Sequence, residues 1–293
     1  MTGSAWDGLD IETLVSLETT APLRYRSRYG DPNLNGRSYG GQVLGQAMMA
    51  ASLDVPDDRP ASTLQLLFLR GADPDQPIDF AVEILQEGKR FSSRHVRGSQ
   101  ANGQVVLDAH ATFCAPQLGP RHAAASTGVE EDPENLPELT VLPSAIIEQL
   151  RPLGPYSPHI KPAMDFRIPD IRRQLSAQTA TSNLRYWLRA KHPLPSNPHT
   201  NAAAFAYLSD WWLNFSSFGS LLRDLQSSEP LYIASLNHCI WFHRPFSPAT
   251  WMHFASESHC AEGGRGLSIA RIHDRDGNML ATASQESLMV AGG

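Results

Sequence analysis

Two rhythms of apolar residues alternate along this chain. In "APLRYRSRYG", residues 21–30, Leu23, Tyr25 and Ser27 face one way and Arg24, Arg26 and Arg28 the other, the period of a strand with one basic face. Over 38–52, "SYGGQVLGQAMMAAS", the pattern becomes that of a helix apolar on nearly every side, from Val43 and Leu44 to Ala50 and Ala51. Such a helix is wrapped by other structure. Three strand-like runs follow at 62–70, 78–88 and 91–116, the last folding back at Asn102-Gly103, a dipeptide suited to a type I′ hairpin. Residues 20–115 thus predict strand, buried helix and antiparallel meander.

The segment 116–163 is rich in Pro, Glu and small residues, with one short helical stretch near 144–150, and reads as a linker. After it the order restarts: a strand pattern in "NLRYWLRAK", an apolar helix in "NAAAFAYLSDWWLNFSS" (201–217), then three more strand-like runs. An ungapped shift of 174 residues lays Phe68 on Phe242, Arg70 on Arg244, Phe80 on Phe254, Arg97 on Arg271 and Gly103 on Gly277. Chance would give about three identities over such a window at average residue frequencies. The expectation is an α+β fold made of two tandem copies, residues 1–115 and 164–293 about a linker at 116–163. Each copy is a curved antiparallel sheet around one helix. A lone copy leaves an open sheet edge, so the two should join into one continuous sheet.

Composition narrows the functional classes. The chain has 293 residues, 41% hydrophobic and 18% charged, with a net charge of -6, which is ordinary for a globular protein and adverse to nucleic-acid binding. Its three cysteines, Cys114, Cys239 and Cys260, form no CxxC spacing, so a disulfide framework or zinc site is not expected. The acidic N-terminus lacks a signal-peptide pattern and no apolar run suits a membrane span, which makes the cytoplasm the expected location.

Candidate chemistry begins with Asp210, the one carboxylate in the second apolar helix. A buried carboxylate is paired, protonated or employed. Gly40 and Gly41 open the first helix, where bare backbone N–H groups could serve an oxyanion or the glycines could simply allow close packing. Ser235 lacks the G-x-S-x-G context of a nucleophile. His238 and His243, five apart without a third ligand, suggest surface or packing roles rather than metal binding. Gln285 sits on the last strand with Ala283 and Ser287 on its face. Arginines such as Arg94 and Arg265 could meet a phosphate-bearing ligand, although solvated strand faces are their commoner use.

Taken together, "YGGQVLGQA", "FLRGADPDQPIDFAVEILQEGKRFSSRHV", "YLSDWWL", "IASLNHCIWFHRPF" and "DGNMLATASQES" resemble the type II acyl-CoA thioesterases, which are double hotdog proteins. The resemblance runs over nearly the whole chain and implies hydrolysis of fatty acyl-CoA without a covalent intermediate. By motif it implies that Asp210, Ser235 and Gln285 hold the attacking water. It also implies an oxyanion donor at the backbone of Gly41 or Gly40, Arg94 or Arg265 on the coenzyme A phosphates, and a homodimer or larger assembly. No metal or cofactor is expected. Ser235 stands where many relatives have Thr, which keeps the hydroxyl, and Asn237 where many have Asp. Two alternatives remain open at this stage: a hotdog acyl-CoA hydratase, which needs an Asp-His pair on one helix, and a non-catalytic acyl-CoA-binding module.

Overall fold

The computed structural model describes residues 4–101, 103–126, 131–151, 159–176, 181–223 and 231–291. Asn102, half of the first expected hairpin pair, lies outside them, as do linker residues 152–158. Twelve strands form one sheet. In the first half these are β1 (Leu17–Ala21), β2 (Arg24–Ser27), β3 (Ala61–Phe68), β4 (Asp79–Glu87), β5 (Phe91–Ser99) and β6 (Val105–Cys114). The second half contributes β7 (Met164–Arg167), β8 (Asn183–Ala190), β9 (Leu231–Phe242), β10 (Met252–Glu262), β11 (Arg265–His273) and β12 (Met279–Ala291). Their order across the sheet is β1-β2-β4-β5-β6-β3-β9-β12-β11-β10-β8-β7, so the second half mirrors the first about the β3–β9 seam.

The repeat is as clear in the backbone as in the sequence. Strand registers slip between Ala61 and Thr63, Ile84 and Gln86, and Gly98 and Ser99, and slip again between Ser235 and Asn237, Ser258 and Cys260, and Ile272 and His273. Each slip recurs 174 residues on. The hairpin glycines match too, at φ +75° for Gly103 and +79° for Gly277. At the seam Gln65 pairs with Cys239 and Thr63 with Trp241, while Leu67 pairs with Asn237. That register places Gln65 and Cys239 on a local two-fold axis, and the antiparallel seam closes the edge that either half alone would expose.

Helices α1 (Gly40–Ser52) and α2 (Pro198–Ser209) lie antiparallel on the inner side of the sheet. All of α1 from Gly41 onward is buried, as its unbroken apolar run requires. The helices touch almost backbone to backbone: a Cβ on Gly41 would collide with the Tyr207 carbonyl, and one on Gly45 would come 2.9 Å from the Ala203 carbonyl. At one end the Tyr39 hydroxyl donates to the Tyr207 carbonyl (3.3 Å). At the other, His199 Nε2 meets the Val55 carbonyl (3.1 Å).

Part of the expected linker packs into the core. Leu139, Leu142, Ile146, Leu150 and Ile160 are all buried, and a helix spans Ser144–Leu150. Its proline content misleads because prolines break regular elements without preventing burial.

Candidate active site

The two helices end differently, and the difference builds the site. Asn197 caps α2 by accepting from the His199 and Thr200 N–H groups, with Pro198 at the first helical position. Tyr39, at the head of α1, offers no side-chain cap. Because the helices are antiparallel, the uncapped N-terminus of α1 meets the C-terminus of α2, where Asp210 sits. Gly41 donates its backbone N–H to the Asp210 carboxylate, which also lies in the favourable field of the helix end. Asp210 therefore acts as a cap supplied from the other copy. Gly40 has no Cβ because one would stand 2.7 Å from Asp210 Oδ2.

The strands bring the remaining partners. Gln285 on β12 donates from Nε2 to Asp210 Oδ1 (2.7 Å) and to Ser235 Oγ on β9 (2.6 Å). Thus the three residues singled out in sequence, 25 and 50 positions apart, form one hydrogen-bonded cluster. Asp210 is 9% exposed. Burial pushes its carboxyl up to about 6, against the hydrogen bonds from Gln285 and Gly41 and the charge of Lys161, which pull it down.

The turn after Asp210 is held open toward a cavity. Tyr186 Oη donates to the Trp211 carbonyl (2.8 Å), and Trp212 adopts φ +59°, a left-handed conformation that is strained for a bulky side chain. The cavity encloses about 1060 Å³ and is mostly apolar, with Val43, Phe68, Trp212, Ile233 and Leu288 on its walls. Asp210, Ser235 and Gly40 also line it. Its cations are Arg37, Arg70 and Lys161, with His159 beside them. Lys161 is anchored by Asp31 Oδ1 (2.7 Å), whose Oδ2 accepts from Tyr207 (3.1 Å), and it stands 4.6 Å over the Tyr39 ring.

Two expectations are corrected by these positions, and a third is narrowed to one residue. Arg94 is 1% exposed because strand alternation turns it inward, where it binds Glu87 (2.6 Å) and backbone carbonyls. It is not available to a phosphate. Arg265 is exposed, stands 3.5 Å from Glu286 and is not on the cavity wall. Gly41 is not a free oxyanion donor, since its N–H serves Asp210; Gly40 is the glycine of the pair that faces the cavity.

One histidine that the sequence assigned to a surface or packing role lies beside this cluster. His238 is fully buried, with Nδ1 3.9 Å from Asp210 Oδ1 and Nε2 3.0 Å from Ser209 Oγ, and burial lowers its pKa to about 3, so it is neutral. Alternation along β9 was the available signal, since it separates inward His238 from the exposed His243. On the outer face, His95, Asp108 and His110 bring potential ligand atoms within 4.8 Å of one another, but Asp108 is already engaged by His95 (3.0 Å).

A single carboxylate held by an amide and a backbone N–H, at the floor of a long apolar cavity in a double-hotdog chain, defines a hydrolase of the hotdog class. Residues 132–289 match the acyl-CoA thioesterase C-terminal domain and residues 31–114 the acyl-CoA thioesterase N-terminal domain. The chain belongs to the acyl-CoA thioesterase family and is a thioester hydrolase. It is 29% identical over 283 residues to Acyl-CoA thioesterase 2 of Haemophilus influenzae, covering 94% of this chain and 95% of that protein. Among solved structures it is similar to an acyl-CoA thioesterase II, TesB2, from Mycobacterium marinum, with 28% identity, a TM-score of 0.77 and coverage of 97% and 99%. A hot dog protein of unknown function from Alicyclobacillus acidocaldarius, 16% identical with a TM-score of 0.75 and coverage of 97% and 98%, shares the fold. The second domain match begins at 132, inside the segment expected to be linker.

Proposed function

We propose that the chain hydrolyses fatty acyl-CoA to a free fatty acid and coenzyme A by direct attack of water at Asp210. The observation that carries this reading is the pair of hydrogen bonds from Gln285, to Asp210 (2.7 Å) and to Ser235 (2.6 Å). Gln285 spends both its N–H groups there, so Asp210 Oδ2 is left to accept a proton from water, and the Ser235 hydroxyl is left to donate to the water oxygen. A lone pair then points at the thioester carbon. As the C–O bond forms, the water proton passes to Asp210 and the carbonyl oxygen becomes an oxyanion, for which the Gly40 N–H at the head of α1 is the proposed donor. Collapse breaks the C–S bond, and the proton on Asp210 goes to the departing thiolate sulfur.

Water rather than Ser235 is the nucleophile in this scheme. Ser235 Oγ accepts from Gln285 and is hydrogen-bonded to no base among the described residues, whereas serine nucleophiles need one. The acyl chain fills the apolar cavity, and Arg37 and Arg70 replace Arg94 and Arg265 as the proposed phosphate contacts.

Thiol release from a panel of acyl-CoAs tests the reading. Asp210→Asn should lower kcat by about 10²- to 10⁴-fold, the usual contribution of a general base. Single-turnover mixing should show no acyl-enzyme. A burst of thiol release that exceeds free acid would instead identify a covalent path, and an unimpaired Asp210→Asn would overturn the assignment of the base.

The proposed setting is fatty acid metabolism in the cytoplasm, a reducing compartment consistent with three free cysteines. A homodimer or larger assembly is proposed as well, to be checked by sedimentation.

A further inference from the structure

The two-fold axis at Gln65–Cys239 has a consequence for the other end of the helix pair. A second cavity, of about 340 Å³, lies where α2 begins and α1 ends. Its walls are the counterparts of the catalytic cavity's walls. Phe242 and Arg244 line the small cavity as Phe68 and Arg70 line the large one. Pro60 and Ala61 stand for Ala234 and Ser235, and all four pairs are 174 residues apart. Counting from the helix caps, Pro198 and Asn201 stand for Gly40 and Val43.

What was lost and what was kept separate cleanly. At the catalytic positions this copy has Ala61 for Ser235 and Ala111 for Gln285, and Leu53 caps α1 where Asp210 caps α2; the carboxylates that follow in sequence, Asp54 and Asp57, lie beyond that cap, and Asp57 accepts from Asn197 Nδ2 (3.0 Å). The serine and the amide that hold Asp210 have no counterpart there. The phenylalanine and arginine at the strand end are retained. Arg244 is exposed, and no carboxylate pairs with it among the described residues.

We infer that this second cavity is a non-catalytic binding site for a small monoanion with an apolar tail, a short- or medium-chain fatty carboxylate. The carboxylate meets Arg244, and the tail lies against Phe242, Phe246 and Ala202. A volume about a third of the catalytic cavity suits such a molecule rather than a whole acyl-coenzyme, and it falls at the lower end of ordinary ligand sites. That the physiological ligand is the reaction's own product class rests on the hydrolase reading above. The binding itself does not.

Octanoate is the probe, titrated into the full-length wild type by calorimetry, with occupancy followed by carboxyl-¹³C NMR. Arg244→Ala should weaken one class of site at least about tenfold, the usual loss for a charge-assisted contact. Ala202→Trp, which fills the cavity, should abolish it. Thiol release at saturating acyl-CoA without octanoate should stay at the wild-type rate in Arg244→Ala. Octanoate binding that neither substitution changes, or no binding at millimolar octanoate, would overturn the inference. Since Arg244 is at the surface, its variant keeps the test valid if Ala202→Trp fails to fold. The titration involves no turnover, so a failed hydrolysis assay leaves its outcome readable.

Discussion

Asp210 is held between opposing effects, and its chemistry depends on which dominates. Burial raises its pKa from 3.8 to about 6 despite two hydrogen bonds and a nearby lysine, so the proposed general base is half-protonated near pH 6. Activity should therefore climb with pH through about 6, read from kcat/KM against pH. Lys161→Met removes the charge that lowers this pKa, and the acid limb should move to higher pH. Stability runs the other way. A folded carboxyl that binds its proton more tightly than the unfolded chain contributes fully below about pH 3.8, and that contribution is lost as pH rises through 6, at a cost of about 3 kcal/mol. Asp210→Asn should accordingly raise the melting temperature at pH 8 while leaving it little changed at pH 4, even as turnover disappears. The arginines divide similarly: Arg70→Ala should raise KM about tenfold or more, whereas Arg94→Ala should lower thermal stability and leave KM alone, because Arg94 is buried on Glu87.

Between elements, the decisive contact is the close approach of α1 and α2. Gly41 and Gly45 permit it, and no side chain at Gly41 can coexist with the Tyr207 carbonyl and the Tyr39 ring. Gly41→Ala should force the helices apart, lower stability by roughly 1 to 3 kcal/mol and pull the Gly41 N–H off Asp210. Thermal unfolding gives the first effect, and an acid limb moved to higher pH gives the second. The glycine pair was visible in sequence, with close packing and a donor role both left open for it. Sequence shows that a backbone N–H is free at a helix start; it does not show whether a ligand or another side chain takes it.

At the scale of the whole molecule, the two copies both contribute to the one proposed catalytic site. Gly40 and Gly41 come from the first half, and Asp210, Ser235 and Gln285 from the second. Separately produced halves should be inactive, and each should aggregate through its exposed β3 or β9 edge, checked by light scattering and thiol release. Periodicity, hairpin dipeptides and the 174-residue shift already specified two sheets around two helices, since alternation and helix spacing are local consequences of which residues need burial. The same local signals singled out Asp210 as an ionisable group in an apolar helix. Long-range register decided the rest. That Gln285 lies between Asp210 and Ser235, that His238 faces the carboxylate, that Arg94 turns inward and Arg70 outward to the cavity, and that a blank copy of the site persists at the far end all depend on how strands distant in sequence are paired. A residue's type says what it can bond to, but only the packing of the sheet on its helices says which partner comes within reach.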